Sequence, residues 1–506
     1  MPSCNKLSAW GSRPMIKPAP EAPILLTALQ SVYEDDCACP ESPHLFVSDA
    51  QAARFENDCA CPLPPQPYSG GQTDSSHYSK AQEVYSEALA PGFRLIFSPS
   101  APQGPAVINQ AAWKRWQEFC RPQPLAQPID YLLAEQNLLL PKKSPAGIPT
   151  FQPETLTVWL HVTNACNLDC PYCYVRKSSA AMSEATGLQA IQKVFETAQK
   201  RLFRRVKLKY AGGEAALHFK LVKTLAAQAQ RLAAKSGLGL DQVVLSNGTH
   251  LRPEDVQWLQ ANGIRLMISL DGIGAVHDRL RSDRRGNGSF AMVSHTIDEI
   301  LLPHGLIPNI TITITRQNAN GAADAVRWAL ARNLPVSLNF YRQTSNAGSE
   351  LTAEEDALIE GMLAAYHVYE EMLPERPFLN GLLDRVQAGA HLHTCGVGLS
   401  YLVIDHQGAV AQCQMLLEHS VLPAQTNDLL EVVQGGPVQN LSVNQKNACR
   451  ECPWRYVCAG GCPLETYRAA GRWDVPNPNC RIYKTLLPAA LRLEGLRLLK
   501  INGYLL

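Results

Sequence analysis

The chain has 506 residues, 46% of them hydrophobic and 18% charged, and a net charge of +1. It is too long for one core, so two to four domains are expected, and no global field draws it to nucleic acid. No apolar run approaches the ~18 residues of a membrane span, and the N-terminus lacks the apolar stretch of a secretory signal. A cytoplasmic protein with no nucleic-acid or membrane partner is expected. In that compartment its 16 cysteines suit metal binding or redox work better than disulfides.

Residues 1–77 are rich in Pro, Ala, Ser and Gly and read as a segment of low order. Within them YEDDCACPES (Tyr33–Ser42) recurs as FENDCACPLP (Phe55–Pro64). Its four thiols, Cys37, Cys39, Cys59 and Cys61, leave three readings open: a zinc or additional cluster site, a substrate-like segment, or a plain cysteine-bearing tail. Residues 78–140 turn globular. A strand is expected at Phe93–Phe97 and helices at Ala112–Cys120 and Ile129–Gln136. Residues 141–153 (PKKSPAGIPTFQP) form a linker.

From 154 to 345, strands are expected at Leu156–Val162, Val206–Tyr210, Val243–Ser246, Arg265–Ser269, Ile310–Thr315 and Val336–Phe340. Stretches of helical spacing separate them, including Ser183–Arg201 with its Ser cap. The basic run Lys200–Lys209 reads as a solvated helix end leading into a strand. Six alternating units imply a parallel α/β array, a partial (β/α)6 barrel with its chemistry at the carboxyl ends of the strands. A helical connector spans 346–390. A cysteine-rich domain spans 391–483 and contains a hairpin at Leu399–Ile404 and Ala409–Gln414. A helical tail, Lys484–Leu499, falls within 484–506.

Directly after the first array strand stands CNLDCPYCY, with Cys166, Cys170 and Cys173 in CxxxCxxC spacing. Three thiolates hold three irons of a four-iron cluster and leave the fourth able to bind a small ligand and pass it an electron. A zinc knuckle is the competing reading, but zinc normally takes four ligands, and His161 is the only further candidate nearby. Later strands end in AGGEA (Ala211–Ala215), SNGT (Ser246–Thr249) and SLDG (Ser269–Gly272), and Arg281 follows. Glycines let a backbone approach a ligand closely, and Glu214 can accept from an ammonium.

Together these motifs resemble the radical S-adenosylmethionine (SAM) enzymes, with Ala215 where that family's GGEP motif has Pro. The resemblance implies a SAM-binding 4Fe–4S cluster on Cys166, Cys170 and Cys173, and reductive cleavage of SAM to a hydrogen-abstracting 5′-deoxyadenosyl radical. The expected cofactor-binding residues are Tyr172 (by the adenine), Gly212, Gly213, Glu214, Ser246, Asn247, Ser269 and Arg281. Of these, Ser269 and Arg281 would contact the SAM carboxylate or ribose.

Seven more thiols follow: Cys395, Cys413, Cys449, Cys452, Cys458, Cys462 and Cys480. Their spacing resembles the SPASM domain of peptide-modifying radical SAM enzymes, and zinc sites are the bland alternative. The resemblance, over about two-thirds of the chain, implies two auxiliary 4Fe–4S clusters. Cys449, Cys452, Cys458 and Cys480 would close one. Cys395, Cys413 and Cys462 would hold the other, leaving an open iron or a place for His391, His393, a water or an N-terminal thiol. Members that make formylglycine carry an Asp where this chain has Gln414.

The whole reads as a peptide maturase with three 4Fe–4S clusters. It is expected to form a thioether or carbon–carbon crosslink in a peptide or protein substrate, with electrons from a flavodoxin- or ferredoxin-type donor. Oxidative maturation of a protein subunit is the alternative, and a zinc-binding scaffold is a distant one. Residues 78–140 faintly resemble the small winged-helix domain that holds a leader peptide, and a scaffold domain without that role is the other reading.

Overall fold

The computed structural model describes residues 16–28, 77–142, 153–344, 348–423 and 426–505. Both DCACP repeats, with Cys37, Cys39, Cys59 and Cys61, and most of the expected linker lie outside the described residues.

The N-terminal part contains β1 (Leu25–Leu26), β2 (Tyr78–Lys80), β3 (Tyr85–Ala90), β4 (Phe93–Phe97), β5 (Ala106–Asn109), α1 (Gln110–Glu118), α2 (Pro128–Glu135) and β6 (Leu139–Pro141). An antiparallel sheet runs β1-β5-β4-β3, and β2 pairs with β6. Asn109 starts α1 by accepting from the Ala112 backbone N–H, and Pro128 at the first turn starts α2. Strand alternation gives the sheet two apolar faces. Ile96 and Ile108 pack with Trp116, Phe119 and Leu133 beneath the two helices, while Leu95, Phe97 and Val107 join the main core of the protein.

The central array is β7 (Thr155–His161), α3 (Glu184–Lys200), β8 (Arg205–Ala211), α4 (Phe219–Ser236), β9 (Gly239–Ser246), α5 (Pro253–Ala261), β10 (Arg265–Ser269), α6 (Ala275–Leu280), α7 (Phe290–His295), β11 (Asn309–Ile314), α8 (Ala322–Ala331) and β12 (Val336–Phe340). All six expected strands form, and all are parallel. Strand β9 starts four residues before the expected Val243. The polar Asp241 and Gln242 hide the pattern there, yet they pair with β8 and are buried, and Gln242 accepts a hydrogen bond from Tyr210.

On β7 and β8, Leu156, Val158, Leu160, Val206, Leu208 and Tyr210 pack into the main core. The alternate residues face the other side, and among them Lys207 and Lys209 are fully buried. The solvated reading of the basic run is therefore wrong for these two. Period-2 alternation turns them inward, and Lys207 pairs with Asp241 at 3.4 Å.

Next come α9 (Glu355–Met372), α10 (Leu379–Leu382), β13 (Tyr401–Ile404), β14 (Val410–Ala411), α11 (Leu429–Gln434), α12 (Arg455–Cys458), α13 (Pro463–Ala470) and α14 (Cys480–Ile501). The expected hairpin forms from β13 and β14, but it does not stand apart. β13 lies parallel to β7, with Tyr401 opposite Thr157, so the sheet has eight strands in the order β12-β11-β10-β9-β8-β7-β13-β14. Local patterning shows a hairpin turn but cannot show which strand the hairpin joins.

The C-terminal helix begins at Cys480, four residues before the expected Lys484, and is no loose tail. It packs against α9 and the N-terminal sheet, where Gly495 sits against Leu89 and Leu95. Among the described residues no helix is long and apolar enough to cross a membrane.

Candidate functional site

The CxxxCxxC loop leaves β7 at its carboxyl end and is bound to the end of β8 by backbone. Gly213 N–H donates to Thr163 O at 2.7 Å, and Glu214 N–H to Ala165 O at 2.8 Å. A Cβ on Gly212 would stand 2.4 Å from Thr163 O, and one on Gly213 2.3 Å from Ala165 O. The two glycines were expected to let a ligand approach. The close approach they permit in this structure is that of the cysteine loop itself.

Glu214 is buried and accepts three hydrogen bonds. Its Oε1 accepts from Ala216 N–H (2.9 Å) and Ser246 Oγ (2.8 Å), and its Oε2 accepts from Asn247 N–H (2.6 Å). Burial raises its carboxyl pKa against these hydrogen bonds. The Asn247 amide donates to Asn167 Oδ1 at 2.9 Å and approaches Cys166 Sγ at 3.9 Å. The GGE, SNG and CNLDC motifs thus form one connected network.

A second network centres on Asp271, which the sequence shows only as part of SLDG. Its Oδ2 accepts from Tyr172 Oη and from Arg281 Nε (2.5 Å), and its Oδ1 accepts from Thr313 N–H at 2.7 Å. The Arg281 guanidinium lies 5.5 Å from the Tyr172 ring centre. Behind it, buried His277 and Ser289 are hydrogen-bonded, and Ser289 Oγ donates to Arg281 O at 2.5 Å. Burial pushes the His277 imidazole down to about 4.

All three loop cysteines and all eight expected cofactor-side residues line one cavity of about 210 Å³. Burial raises the Cys166 thiol and pushes Cys170 up to about 12. Lys177, paired with Asp169 at 2.8 Å, completes this rim. The far wall consists of Trp159, Arg342, Arg385, Gln414 and Met415, none of them predicted except Gln414. That wall adjoins the cysteine-rich region: Gln414 Oε1 accepts from Tyr401 Oη at 2.7 Å and lies 3.5 Å from Cys413 Sγ. Apart from the neighbours Gln414 and Met415, these residues come from separate segments, so no single local motif gathers them.

The seven C-terminal thiols fall into two sets. Cys395, Cys413 and Cys462 feel one another's fields and share an apolar cluster with Trp159 and Tyr401. Cys449, Cys452, Cys458 and Cys480 line a separate cavity of about 50 Å³. The imidazoles of His391 and His393 turn Nδ1 toward the carbonyls of Gly389 (2.9 Å) and Asn440 (3.0 Å).

The Radical SAM superfamily model matches residues 160–301, the segment that carries the first network and all of the second but Thr313. The chain is a radical SAM enzyme. Its cofactors are therefore SAM and a 4Fe–4S cluster. The enzyme is related to SPASM-type maturases. It is 26% identical over 334 residues to the antilisterial bacteriocin subtilosin biosynthesis protein AlbA of Bacillus subtilis, covering 62% of this chain and 68% of that one. It is 25% identical over 358 residues to the serine-type anaerobic sulfatase-maturating enzyme of Klebsiella aerogenes, covering 66% of this chain and 86% of that one. Among solved structures, anSMEcpe with bound AdoMet and Cp18Cys peptide superposes with a TM-score of 0.54 at 18% identity, covering 68% of this enzyme and 99% of that chain, which speaks to the fold.

Proposed function

We propose that this enzyme is a peptide maturase that crosslinks a ribosomally made peptide or protein, forming a thioether or carbon–carbon bond. One observation carries the reading: a single cavity runs from Cys166, Cys170 and Cys173 to a wall at Gln414, beside Cys413. A substrate side chain held there lies between the two thiol sets. Cys166, Cys170 and Cys173 would hold the SAM-binding cluster. Cys395, Cys413 and Cys462 would hold one auxiliary cluster, and Cys449, Cys452, Cys458 and Cys480 the other. The donor set fits, because three thiols leave an open coordination position and four close a cubane. When bound, the cluster with SAM supplies a hydrogen-abstracting carbon radical.

The chain's own residues bind and orient. Glu214 and Arg281 offer opposite charges to the zwitterionic methionyl end of SAM, and Tyr172, held by Asp271, offers its ring to the adenine. The far wall positions the peptide. The neutral Gln414 amide, held by Tyr401, takes the place of a carboxylate base, which favours crosslinking over formylglycine formation. Relatives named as sulfatase-maturating enzymes keep oxidative maturation of a protein subunit as the second reading. Among the described residues β3 is an outer strand of its sheet, a position suited to pairing with a leader strand.

Anaerobically purified full-length protein should carry about twelve irons and release 5′-deoxyadenosine with SAM and dithionite. Replacing Cys166, Cys170 and Cys173 together by Ala should abolish that release. Co-expression with a candidate peptide should remove the mass of two hydrogens per bond formed. A peptide left unchanged in mass, or a thiol converted to an aldehyde, rejects crosslinking.

A further inference from the structure

Between Cys458 of one auxiliary set and Cys462 of the other, Ala459, Gly460 and Gly461 all adopt left-handed backbone, with φ of 44°, 80° and 72°. The turn closes over the side chain of Lys446. That lysine is 1% exposed, and its Nζ donates to Ala459 O at 3.0 Å. A Cβ on Gly460 would stand 2.6 Å from Lys446 Cδ and 2.8 Å from Nζ, so glycine is needed there to make room for the lysine.

Fixing the turn does not account for a lysine. Thr394 Oγ1 already lies within 2.8–3.2 Å of the carbonyl oxygens of Cys458, Ala459 and Gly461. Among the described residues no carboxylate pairs with the ammonium. A buried ammonium is favoured only where negative charge lies near it. Among the groups whose fields act on Lys446 are Cys449 and Cys458 of one set and Cys395 and Cys462 of the other, and Lys446 in turn acts on the His393 imidazole. Burial lowers its pKa, and these thiols oppose that shift without cancelling it. Other cations are one-sided. Arg385 acts on Cys395, Arg385 and Arg342 act on Cys413, and Lys484 acts on Cys449 and Cys480.

We propose that Lys446 is a positioning residue whose ammonium is a fixed positive charge shared by both auxiliary clusters, raising the reduction potential of each. The inference rests on the reading that both thiol sets hold clusters. Reduction adds one negative charge to a cluster, and a desolvated cation beside it favours that state. Both clusters are thereby biased toward accepting an electron.

The test is an EPR-monitored potentiometric titration of the anaerobic, iron-loaded full-length enzyme and three variants. Lys446→Gln keeps a donor for Ala459 O and removes the charge. Lys446→Arg keeps the charge. Thr394→Val loosens the same turn without altering charge. The glutamine variant should lose at least tenfold in the equilibrium for reducing each auxiliary cluster, about 59 mV for one electron, while the cluster at Cys166, Cys170 and Cys173 stays at its wild-type potential. The arginine and valine variants should titrate as wild type.

Wild-type potentials in Lys446→Gln, or an equal shift in Thr394→Val, overturn the inference. Should Lys446→Gln fail to load iron, wild-type protein carrying 15N-lysine must show nitrogen coupling on both reduced auxiliary signals, and its absence from either also overturns it. Wild-type protein with a single cluster instead overturns the functional reading on which the inference stands.

Discussion

Asp271 is the residue on which the cofactor-side geometry turns, since it holds Tyr172 and Arg281 in one arrangement. Asp271→Asn leaves the Arg281 guanidinium buried without its anion, a loss of about 3–5 kcal/mol. It should lower the melting temperature and weaken SAM binding at least tenfold by anaerobic calorimetry. Gly213→Ala attacks the site from the other side, because its Cβ would meet the Ala165 carbonyl at 2.3 Å. The cysteine loop should be displaced, and iron content should fall from about twelve to about eight per chain with both auxiliary signals intact. Retention of all the iron would show that the loop does not depend on that close approach. The eight residues picked from motifs do share one cavity. Asp271 stands inside SLDG, but its part in holding Tyr172 and Arg281 shows only in the fold; Lys177, Arg342 and Arg385 lie outside the motifs, and only folding brings them to the cavity.

At the scale of elements, helix starts and parallel strands follow from local chemistry. Ser183 caps α3 by accepting from the Thr186 N–H at 3.0 Å, and Ser183→Ala should cost about 1 kcal/mol in urea unfolding. The placing of α14 does not follow in that way. Its Leu491 is 1% exposed within the core that also contains Leu95 and Phe97 of the N-terminal sheet. Leu491→Ala should therefore cost about 2–5 kcal/mol, as large an effect as a central strand mutation, where a dispensable tail would give none. Amphipathic spacing marked a helix near residues 484–499, but which surface receives it depends on elements nearly 400 residues away.

Across the whole molecule, buried neutral imidazoles tie stability to pH. Burial holds His161, His277 and His391 at about 4, below their ordinary 6.5. The unfolded chain takes up these protons first, so stability is fully present above about pH 6.5 and falls as pH drops toward 4. The limiting slope is ~4 kcal/mol per pH unit if all three contribute. Melting curves at constant iron content from pH 7 to 5 should show it, and His277→Asn should remove about a third.

The amino-acid sequence by itself determined the cysteine spacings, the glycine and carboxylate motifs and the six parallel strands. Each of these depends on residues within one turn or one strand–helix unit. Tertiary structure alone decided that β13 extends the sheet beside β7, that α14 unites the N-terminal sheet with the core, and that Gln414 and the two arginines line one cavity with the CxxxCxxC loop. Those are contacts between distant segments, set by which buried faces fit together, and no local pattern encodes the partner.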